Sequence, residues 1–321
     1  MQSSTEWSVL RFSPIYQERV WGGRRLESLY SRELPKADVP YGESWELCDR
    51  PEAQSVVING SLKGKTLHEL WTDFRAEVFG PKLVSHEGDR FPLLLKILDA
   101  SDDLSIQVHP NDETAELVQG EAKSEAWYVA HAEPGARLYA GLQAGVSQDA
   151  FAAAMEDGSV AEQVLAHEAS KGACVAIHGG VMHAIGGGLV IFEIQQNSDT
   201  TYRVFDWNRV GLDGKPRELH QEQALKVTDF DAPPVGWQQL DGTRLLDWKY
   251  FKLDVSPYEA GAQAGAPGGQ QFAMGAVVSG EILFGKEVLK AGDFFLVPAA
   301  AQDDSRQFSS PSGAEVLWIT L

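Results

Sequence analysis

Cysteine is scarce in this chain. Only Cys48 and Cys174 occur among 321 residues, far apart in the sequence, so we expect a reducing cytoplasm rather than a disulfide framework. Apolar runs are short as well, because none approaches the roughly 18 to 20 residues that a membrane-spanning helix needs. The start, Met1 to Ser8, has neither a basic cluster nor an apolar stretch, so no signal peptide is expected. These absences together predict a cytoplasmic protein that does not enter a membrane.

Positive charge is also in short supply. Lys and Arg number 27 against 46 Asp and Glu, which gives a formal net charge of -19. Such a surface repels nucleic acid and anionic lipid, so neither is an expected partner. A phosphorylated small molecule would be repelled at long range too. An anionic ligand therefore requires a local cluster of Lys and Arg at its binding site.

The chain is rich in short β-like runs that lie between turn signals. It contains 31 glycines, and its hydrophobic share of 43% is ordinary for a soluble globular protein. Its 321 residues are enough for two lobes. Many short strands predict an all-β fold, as a closed barrel or a sandwich. The clearest runs are Gln54–Gly60, Ala173–Gly180, Gly188–Ile194, Tyr250–Val255, Phe272–Ser279 and Val316–Leu321.

Helical periodicity is clearest in a segment at about residues 64–80. Apolar side chains share one helix face from Thr66 to Phe79, and Thr66 followed by Glu69 matches a capping box. Start and stop signals predict three further helical stretches. These are Asp112–Val118, Ser147–Met155 and Val160–His167.

The last third of the chain shows no sign of a metal site. Asp231–Gly236 has the composition of a linker, and Gly261–Gly269 that of a mobile loop. A hairpin is expected within Ser279–Pro298. No histidine follows Tyr250, so a second barrel in this part would lack imidazole ligands and would be structural.

Two histidines and a glutamate lie in three strand-like segments. The segments are Leu104–Pro110, Lys123–Val129 and Ile177–Ile185. Side chains on a strand alternate between faces, so Gln107 and His109 point the same way. Two histidines and a carboxylate, here His109, Glu125 and His183, are a common open zinc set that leaves a position for water or substrate. If the three strands meet, the chain is a metalloenzyme acting on small polar molecules.

Several long motifs resemble those of the type I phosphomannose isomerase family (mannose-6-phosphate isomerase) of the cupin superfamily, in its short bacterial form. The similarity runs from about Phe12 to Arg209, with a weaker cupin-like match beyond it. The motifs are Val20–Gly23, Gly42–Glu46, Phe91–Ala100, Leu104–Asp112, Lys123–Tyr128, His183–Gly186 and Glu193–Trp207.

The resemblance implies a fold of cupin jelly-roll barrels, bicupin-like, with a few helices packed on the catalytic barrel. It implies a catalytic domain over residues 1–235 and a C-terminal β-rich cupin-like domain over residues 236–321. It also implies one Zn²⁺ per chain, held by residues that match the family's ligands. These are Gln107, His109, Glu125 and His183.

One catalytic residue is implied by the resemblance, and two more are expected from their positions in the sequence. Arg203 matches the family's functional arginine, and its planar, permanently charged guanidinium suits a developing oxyanion or the substrate. Asp199 lies four residues earlier in the same strand-like run and is expected to orient Arg203 or shuttle a proton. Lys96 ends an apolar run, and partial burial there would lower its pKa and suit it to proton transfer. The alternatives are that Lys96 binds phosphate or extends to solvent.

Two further residues are expected to bind the substrate. Lys123 and Ser105 have the spacing of cavity-facing neighbours of Glu125 and Gln107, and Lys123 is the candidate anchor for a phosphate. One departure from the family pattern precedes His183, where a His178-Gly179-Gly180 turn replaces the family's usual Pro-Ala-Gly. Whether His178 points into the site stays open at this stage.

The expected function is a zinc-dependent isomerase that interconverts mannose 6-phosphate and fructose 6-phosphate through an enediol. The alternatives are an isomerase of another sugar or sugar phosphate, and a non-catalytic cupin that binds sugar. The expected partner is a small sugar phosphate, and the protein is expected to be a monomer or homodimer.

Overall fold

A computed structural model describes residues 6–321 of the chain. Strands outnumber helices in these residues, which confirms the predicted all-β class with a few helices. The first twelve strands are β1 Leu10–Arg11, β2 Ile15–Gly23, β3 Tyr41–Leu47, β4 Leu93–Ala100, β5 Ile106–Val108, β6 Glu125–Ala132, β7 Arg137–Leu142, β8 Val164–Glu168, β9 Cys174–Ile177, β10 His183–Ile185, β11 Leu189–Gln196 and β12 Tyr202–Phe205. The others are β13 Arg244–Asp247, β14 Lys252–Tyr258, β15 Ala262–Gly265, β16 Ala273–Phe284, β17 Glu287–Lys290, β18 Phe294–Val297, β19 Gln307–Ser310 and β20 Ala314–Thr320.

The helices are short. The α-helices are α1 Arg25–Tyr30, α2 Leu67–Asp73, α3 Arg75–Phe79, α4 Gln148–Asp157, α5 Gln221–Val227 and α6 Asp303–Arg306. Single turns of 3₁₀-helix are formed by Pro81–Leu83, Glu116–Val118 and Val160–Gln163. None of the helices within residues 6–321 is long and apolar enough to cross a membrane.

Close contacts group the chain into two compact units. The larger unit contains Tyr16–Ser44 and Leu94–Gln238, and the smaller unit contains the rest of the described chain. This grouping places residues 45–93 with the C-terminal segment rather than in one block with residues 94–235. As a division into independently folding domains, the boundary at residue 235 stays a prediction.

The smaller unit is built on a nine-stranded sheet with the main order β1-β18-β16-β20-β14-β13. Its core contains Phe295 and Trp318, both almost fully buried. The predicted hairpin is present as β16 and β17, with Glu281 opposite Lys290. The predicted mobile loop at 261–269 is wrong in part, because β15 pairs there with β19.

The predicted helix at 66–79 also lies in the smaller unit, as the two short helices α2 and α3. The capping box is confirmed: the Thr66 side chain accepts from the Glu69 N–H, and the Glu69 side chain accepts from the Thr66 N–H. The helix breaks at Phe74, whose φ of -129° is not helical. The predicted strand at 54–60 forms only isolated bridges.

The larger unit contains two antiparallel sheets. A five-stranded sheet has the order β12-β5-β10-β7-β8, and a six-stranded sheet has the order β2-β3-β4-β11-β6-β9. Buried apolar clusters fill the unit, with Trp127 and Ile191 in one and Val108 and Phe151 in another. The residues predicted for the metal and substrate sites lie in strands of these sheets or within two residues of a strand end.

Two helix predictions in the larger unit need correction. Helix α4 is confirmed with Ser147 as its cap, since the Ser147 side chain accepts from the Ala150 N–H. The expected extension at 160–167 is wrong, because one 3₁₀ turn leads into strand β8, which pairs with β7. The helix expected at 112–118 is present only as the 3₁₀ turn Glu116–Val118. Helices α1 and α5 were not predicted, because neither begins at a Ser, Thr, Asp or Asn cap.

Candidate metal centre

His109 and His183 face each other with their Nε2 atoms 3.1 Å apart. His183 lies on β10, and His109 follows β5 directly. Nδ1 of His109 lies 2.8 Å from the Thr200 carbonyl oxygen, and Nδ1 of His183 lies 2.8 Å from that of Val181. A carbonyl oxygen only accepts, so each Nδ1 carries the ring proton and each Nε2 presents a lone pair. Two lone pairs at this distance repel each other unless a cation lies between them.

Burial keeps both imidazoles neutral. Burial and the positive charge of Lys123 hold the pKa of His109 well below its ordinary value. Burial likewise lowers the pKa of His183 to about 4. Neutral imidazole is the form that ligates metals, and a backbone carbonyl on the other ring nitrogen is the usual device that fixes its tautomer.

Glu125 supplies a carboxylate to the same point. It begins strand β6 and is fully buried. Oε1 lies 3.4 Å from Nε2 of His183, and Oε2 lies 3.7 Å from Nε2 of His109. Neither oxygen accepts a hydrogen bond of good geometry from residues 6–321. A buried carboxylate without such bonds is costly in a protein interior and is characteristic of a metal ligand.

The three side chains therefore fit a divalent cation. Their ligand atoms, two imidazole nitrogens and a carboxylate oxygen, all lie within 4.8 Å of one another. Two histidines and one carboxylate leave a coordination position open, as catalytic rather than structural metal sites do. The chain thus provides a possible metal-binding triad of His109, Glu125 and His183.

Gln107 lies at the edge of this triad. It pairs with His183 across β5 and β10, and its Nε2 is 3.4 Å from Nε2 of His183. Its Oε1 accepts from the Ser105 hydroxyl at 3.3 Å. Turning the amide by 180° exchanges its oxygen and nitrogen, and the Ser105 hydroxyl is able to accept as well as donate. Ligation of a metal by Gln107 requires that orientation and stays a prediction.

Lys123 points its ammonium group into the triad. Nζ lies 2.9 Å from Oε2 of Glu125 and 3.2 Å from Nε2 of His109, and the side chain is buried. The ammonium is thus a nearby positive charge for the carboxylate and for the lone pair of His109. Lys123 also lines the adjacent cavity, so a ligand that reaches it would lie close to the triad.

A ladder of alternating charge crosses the neighbouring sheet. It consists of Arg19 on β2, Glu43 on β3, Lys96 on β4 and Glu193 on β11, which are consecutive strands. Arg19 Nε donates to Glu43 Oε1 at 2.6 Å. Lys96 Nζ lies 3.4 Å from Glu43 Oε2 and 3.5 Å from Glu193 Oε1. Since adjacent strands place side chains beside one another, this charge ladder follows from the order of the strands in the sheet.

The expected pKa of Lys96 is wrong in direction. Lys96 is buried as predicted, and burial alone would lower its pKa, but the charges of Glu43 and Glu193 outweigh burial and raise it. The two neighbouring carboxylates thus favour the charged form of Lys96, and its role in proton transfer stays a prediction. Burial and the nearby charge of Glu125 raise the pKa of Glu193, whose Oε2 accepts from the Trp127 indole at 3.1 Å.

Arg203 on β12 lies across the five-stranded sheet from His183, with Gln107 on the strand between them. It pairs with Gln107, which in turn pairs with His183. Its buried Nε has no hydrogen-bond partner, and its guanidinium has no ion pair with an acidic side chain in residues 6–321. Burial and the charge of Arg217 lower the pKa of Arg203. An arginine in this situation is available for an anionic ligand.

Asp199 does not share a strand with Arg203. It is exposed in the connection between β11 and β12, because strand pairing with β5 begins only at Tyr202. No ion pair joins Asp199 to Arg203 among the described residues. The prediction that Asp199 and Arg203 share one strand is therefore wrong. Asp199 does line the cavity, and its role in orienting Arg203 or shuttling a proton stays a prediction.

A cavity of about 550 Å³ adjoins the triad, within the roughly 300–1,000 Å³ typical of small-molecule sites. Gln107, Ser105 and Lys123 contribute to its wall. Five cationic and five acidic side chains line it. The cationic ones form the local Lys and Arg cluster that an anion site requires in such an acidic protein. The cationic residues are Arg19, Lys96, Lys123, Arg203 and Arg217.

Sequence reasoning missed several residues of this cavity, Arg217 among them, and left the place of His178 undecided. Glu43 and Glu193 received no role, although both lie inside quoted motifs. The available signal was an acidic residue within an apolar strand, as Glu193 is within Leu189–Ile194. His178 is exposed, so it does not join the buried triad.

The chain is mostly β and combines a possible metal-binding triad of two imidazoles and a carboxylate with a charged cavity, an arrangement typical of metal-dependent proteins of small polar ligands. Residues 9–134 match the family model for the phosphomannose isomerase type I catalytic domain. Mannose-6-phosphate isomerase ManA of Bacillus subtilis is 37% identical over 302 residues, 90% of this chain and 92% of that protein. The chain therefore belongs to the type I phosphomannose isomerase family, as its motifs predicted.

Further relatives agree with this assignment. Mannose-6-phosphate isomerase of Streptococcus mutans is 37% identical over 243 residues, 74% of each chain. The crystal structure of mannose 6-phosphate isomerase from Bacillus subtilis superposes with a TM-score of 0.84 and 29% identity. The aligned part covers 98% of this chain and 100% of the Bacillus chain. A putative mannosephosphate isomerase from Archaeoglobus fulgidus, with a TM-score of 0.77 and 22% identity over 99% of both chains, shares the fold. The predicted cupin-type fold is thereby confirmed.

Proposed function

We propose that this protein is a zinc-dependent mannose-6-phosphate isomerase that interconverts mannose 6-phosphate and fructose 6-phosphate. The observation that carries the proposal is that the unprotonated Nε2 atoms of His109 and His183 lie 3.1 Å apart beside the buried carboxylate of Glu125. Imidazole and carboxylate ligands in a partly open set suit Zn²⁺, one ion per chain. Family membership supplies the substrate class, a hexose phosphate.

The reaction moves a proton between C1 and C2 of the sugar through an enediol, and negative charge develops on oxygen. A bound zinc ion would supply Lewis-acid stabilisation of that charge. Arg203 is proposed to add a fixed positive charge beside it, because its guanidinium has no acidic partner among the described residues and lines the cavity. Donors fixed in advance where charge develops are among the largest contributions to catalysis.

Glu193 is proposed to move the proton between the two carbons. Its Oε1 is buried without a hydrogen bond in residues 6–321 and the residue lines the cavity. Its raised pKa brings the carboxylate closer to the operating pH, which favours general-base catalysis. Lys96 is proposed to hold Glu193 in place as a permanent cation rather than to take the proton itself.

The phosphate is proposed to bind among the cationic residues of the cavity wall. Lys123 and Ser105 remain the predicted anchors, and both contact the metal centre or its neighbour Gln107. C1 and the phosphate at C6 are at opposite ends of the sugar. If C1 lies at the metal centre, Arg217 is therefore proposed as the phosphate anchor in place of Lys123, since it lines the cavity and is held by Asp206 Oδ2 at 2.7 Å.

A coupled assay on mannose 6-phosphate, with and without a chelator, tests the proposal. We expect turnover that chelation abolishes and that zinc restores. Turnover confined to another member of a panel of hexose phosphates would assign a different substrate on the same site. Binding of zinc and sugar phosphate without turnover on any substrate would favour the non-catalytic alternative, which the complete triad and the available Arg203 argue against.

We further propose that the enzyme acts in the cytoplasm. Both cysteines, Cys48 and Cys174, are buried and free, as expected for a reducing compartment. A monomeric or homodimeric state stays a prediction.

A further inference from the structure

Strand β12 forms one edge of its five-stranded sheet. Its only strand partner within residues 6–321 is β5, so every second residue of β12 points its N–H and C=O away from the sheet. Arg203 is such a residue. An edge strand held on one side only is free to twist or fray, and the direction of the Arg203 side chain depends on the course of this strand.

The segment Glu218 to His220 closes that open edge at Arg203. The backbone N–H of Arg203 donates to Nδ1 of His220 at 3.2 Å. The backbone N–H of His220 donates to the Arg203 carbonyl at 2.7 Å. Nη1 of Arg203 donates to the Glu218 carbonyl at 2.8 Å. The backbone and the guanidinium of one arginine are thus held by the same short segment.

The imidazole of His220 takes the place of a neighbouring strand's carbonyl in this arrangement. It precedes helix α5 at the cap position, yet it makes no side-chain hydrogen bond to the helix. An accepting Nδ1 has no proton, so the ring proton lies on Nε2. Burial and the charge of Arg203 lower the pKa of His220, which keeps the ring in the neutral form that accepts. Its edge packs against the Tyr202 ring, with centroids 6.0 Å apart.

We propose that His220 is a positioning residue for Arg203: its Nδ1 accepts the Arg203 backbone N–H and fixes the edge strand so that the guanidinium points into the cavity. The effect of His220 on turnover rests on the proposed function. No carboxylate of the described residues pairs with Arg203 to aim its side chain, so the strand and the Glu218 carbonyl must do this. A misplacement of about 1 Å is enough to lower a rate by about a hundredfold.

Kinetics of two His220 variants test the proposal. His220→Ala should lower kcat about 10- to 100-fold with little change in KM, because an interaction made mainly in the transition state is weakened. His220→Asn should recover most of the rate, since the Asn Oδ1 occupies the place of Nδ1 and accepts the same N–H. His167→Ala is the matched control: the His167 ring also hydrogen-bonds to the backbone, donating to the Ala140 carbonyl from β8 at the opposite edge of the same sheet. It should leave kcat unchanged.

Two measurements on the wild-type protein do not depend on catalysis. The ¹⁵N shifts of the His220 ring should show an unprotonated Nδ1 and a protonated Nε2, and the Arg203 amide should exchange slowly with solvent. The opposite tautomer, or a fast-exchanging amide, would overturn the proposal even if His220→Ala does not fold. Equal loss of kcat in folded His220→Ala and His220→Asn would overturn it as well. A wild-type protein without isomerase activity would instead contradict the proposed function and leave the tautomer test in force.

Discussion

Lys96 on β4 and Glu193 on β11 form a buried ion pair, with Nζ 3.5 Å from Oε1 and each side chain only 4% exposed. Glu43 on β3 contacts the same ammonium from the other side at 3.4 Å. One lysine therefore separates two carboxylates that would otherwise repel each other in the interior. This relationship, rather than the burial of Lys96 alone, determines its chemistry.

Replacing Lys96 by methionine should destabilise the protein. Glu43 and Glu193 would remain buried without their cation, and breaking a buried pair in this way typically costs roughly 3–5 kcal/mol. Urea unfolding of the metal-loaded protein measures the loss. Lys96→Arg, which keeps the charge, is the matched control and should lose less. Equal stability of wild type and Lys96→Met would show that the charge ladder contributes nothing to folding.

The stabilisation from Lys96 should not depend on pH in the neutral range. A group whose pKa is raised by folding contributes stability that is fully present below its unfolded pKa, about 10.4 for lysine, and lost only as the pH rises through the folded value. Titration of Lys96 should thus not change the difference in unfolding free energy between wild type and Lys96→Met between about pH 6 and 9. A proton uptake by Lys96 within that range, seen by NMR of the ammonium group, would contradict this assignment.

Glu193→Gln should abolish most of the turnover and retain the metal. Removing a general base typically lowers kcat by about 10²- to 10⁴-fold. Because burial raises the pKa of Glu193, the wild-type rate should fall as the pH drops, from a higher pH than an ordinary carboxylate would give. Glu18→Gln, at an acidic residue of the cavity wall that pairs with Lys36, is the control. Near-wild-type kcat in Glu193→Gln would remove this residue from the mechanism.

The candidate metal site was predictable because each proposed ligand lies inside a recognisable motif. Gln107 and His109 are two residues apart, and the alternation of a strand already relates them. Pairing of β10 with β5 brings His183 beside them, and Glu125 reaches the same point from the other sheet, as the resemblance implied. The all-β class was predictable for a similar reason, since short alternating runs are a local property.

The charge state of Lys96 was not predictable from its own segment. Its partners come from β3 and β11, 53 residues before it and 97 residues after it in sequence, and only the strand order makes them neighbours. Asp199 shows the converse error. Its spacing from Arg203 suited one strand, but pairing with β5 starts at Tyr202 and leaves Asp199 in a connection. The role of His220 depends on an exposed strand edge, which no local pattern indicates.

Arg203→Ala should lower kcat by orders of magnitude and leave the zinc content near one per chain. The guanidinium contacts no ligand of the triad directly, so its loss removes charge stabilisation without removing a metal ligand. Arg203→Lys should not restore the rate, because an ammonium group lacks the planar fork of donors. Steady-state kinetics with metal analysis of the same samples separate the two effects. Full activity in Arg203→Ala would exclude it from the reaction.

Zinc titration of the metal-free protein, followed by turnover on mannose 6-phosphate, tests the central claim most directly. We predict that activity rises in proportion to bound zinc and saturates at one ion per chain, and that Glu125→Gln, which keeps the shape but loses the charge, binds zinc at least about tenfold more weakly. Turnover by the metal-free protein, or one zinc bound per chain with no isomerisation, would contradict the account.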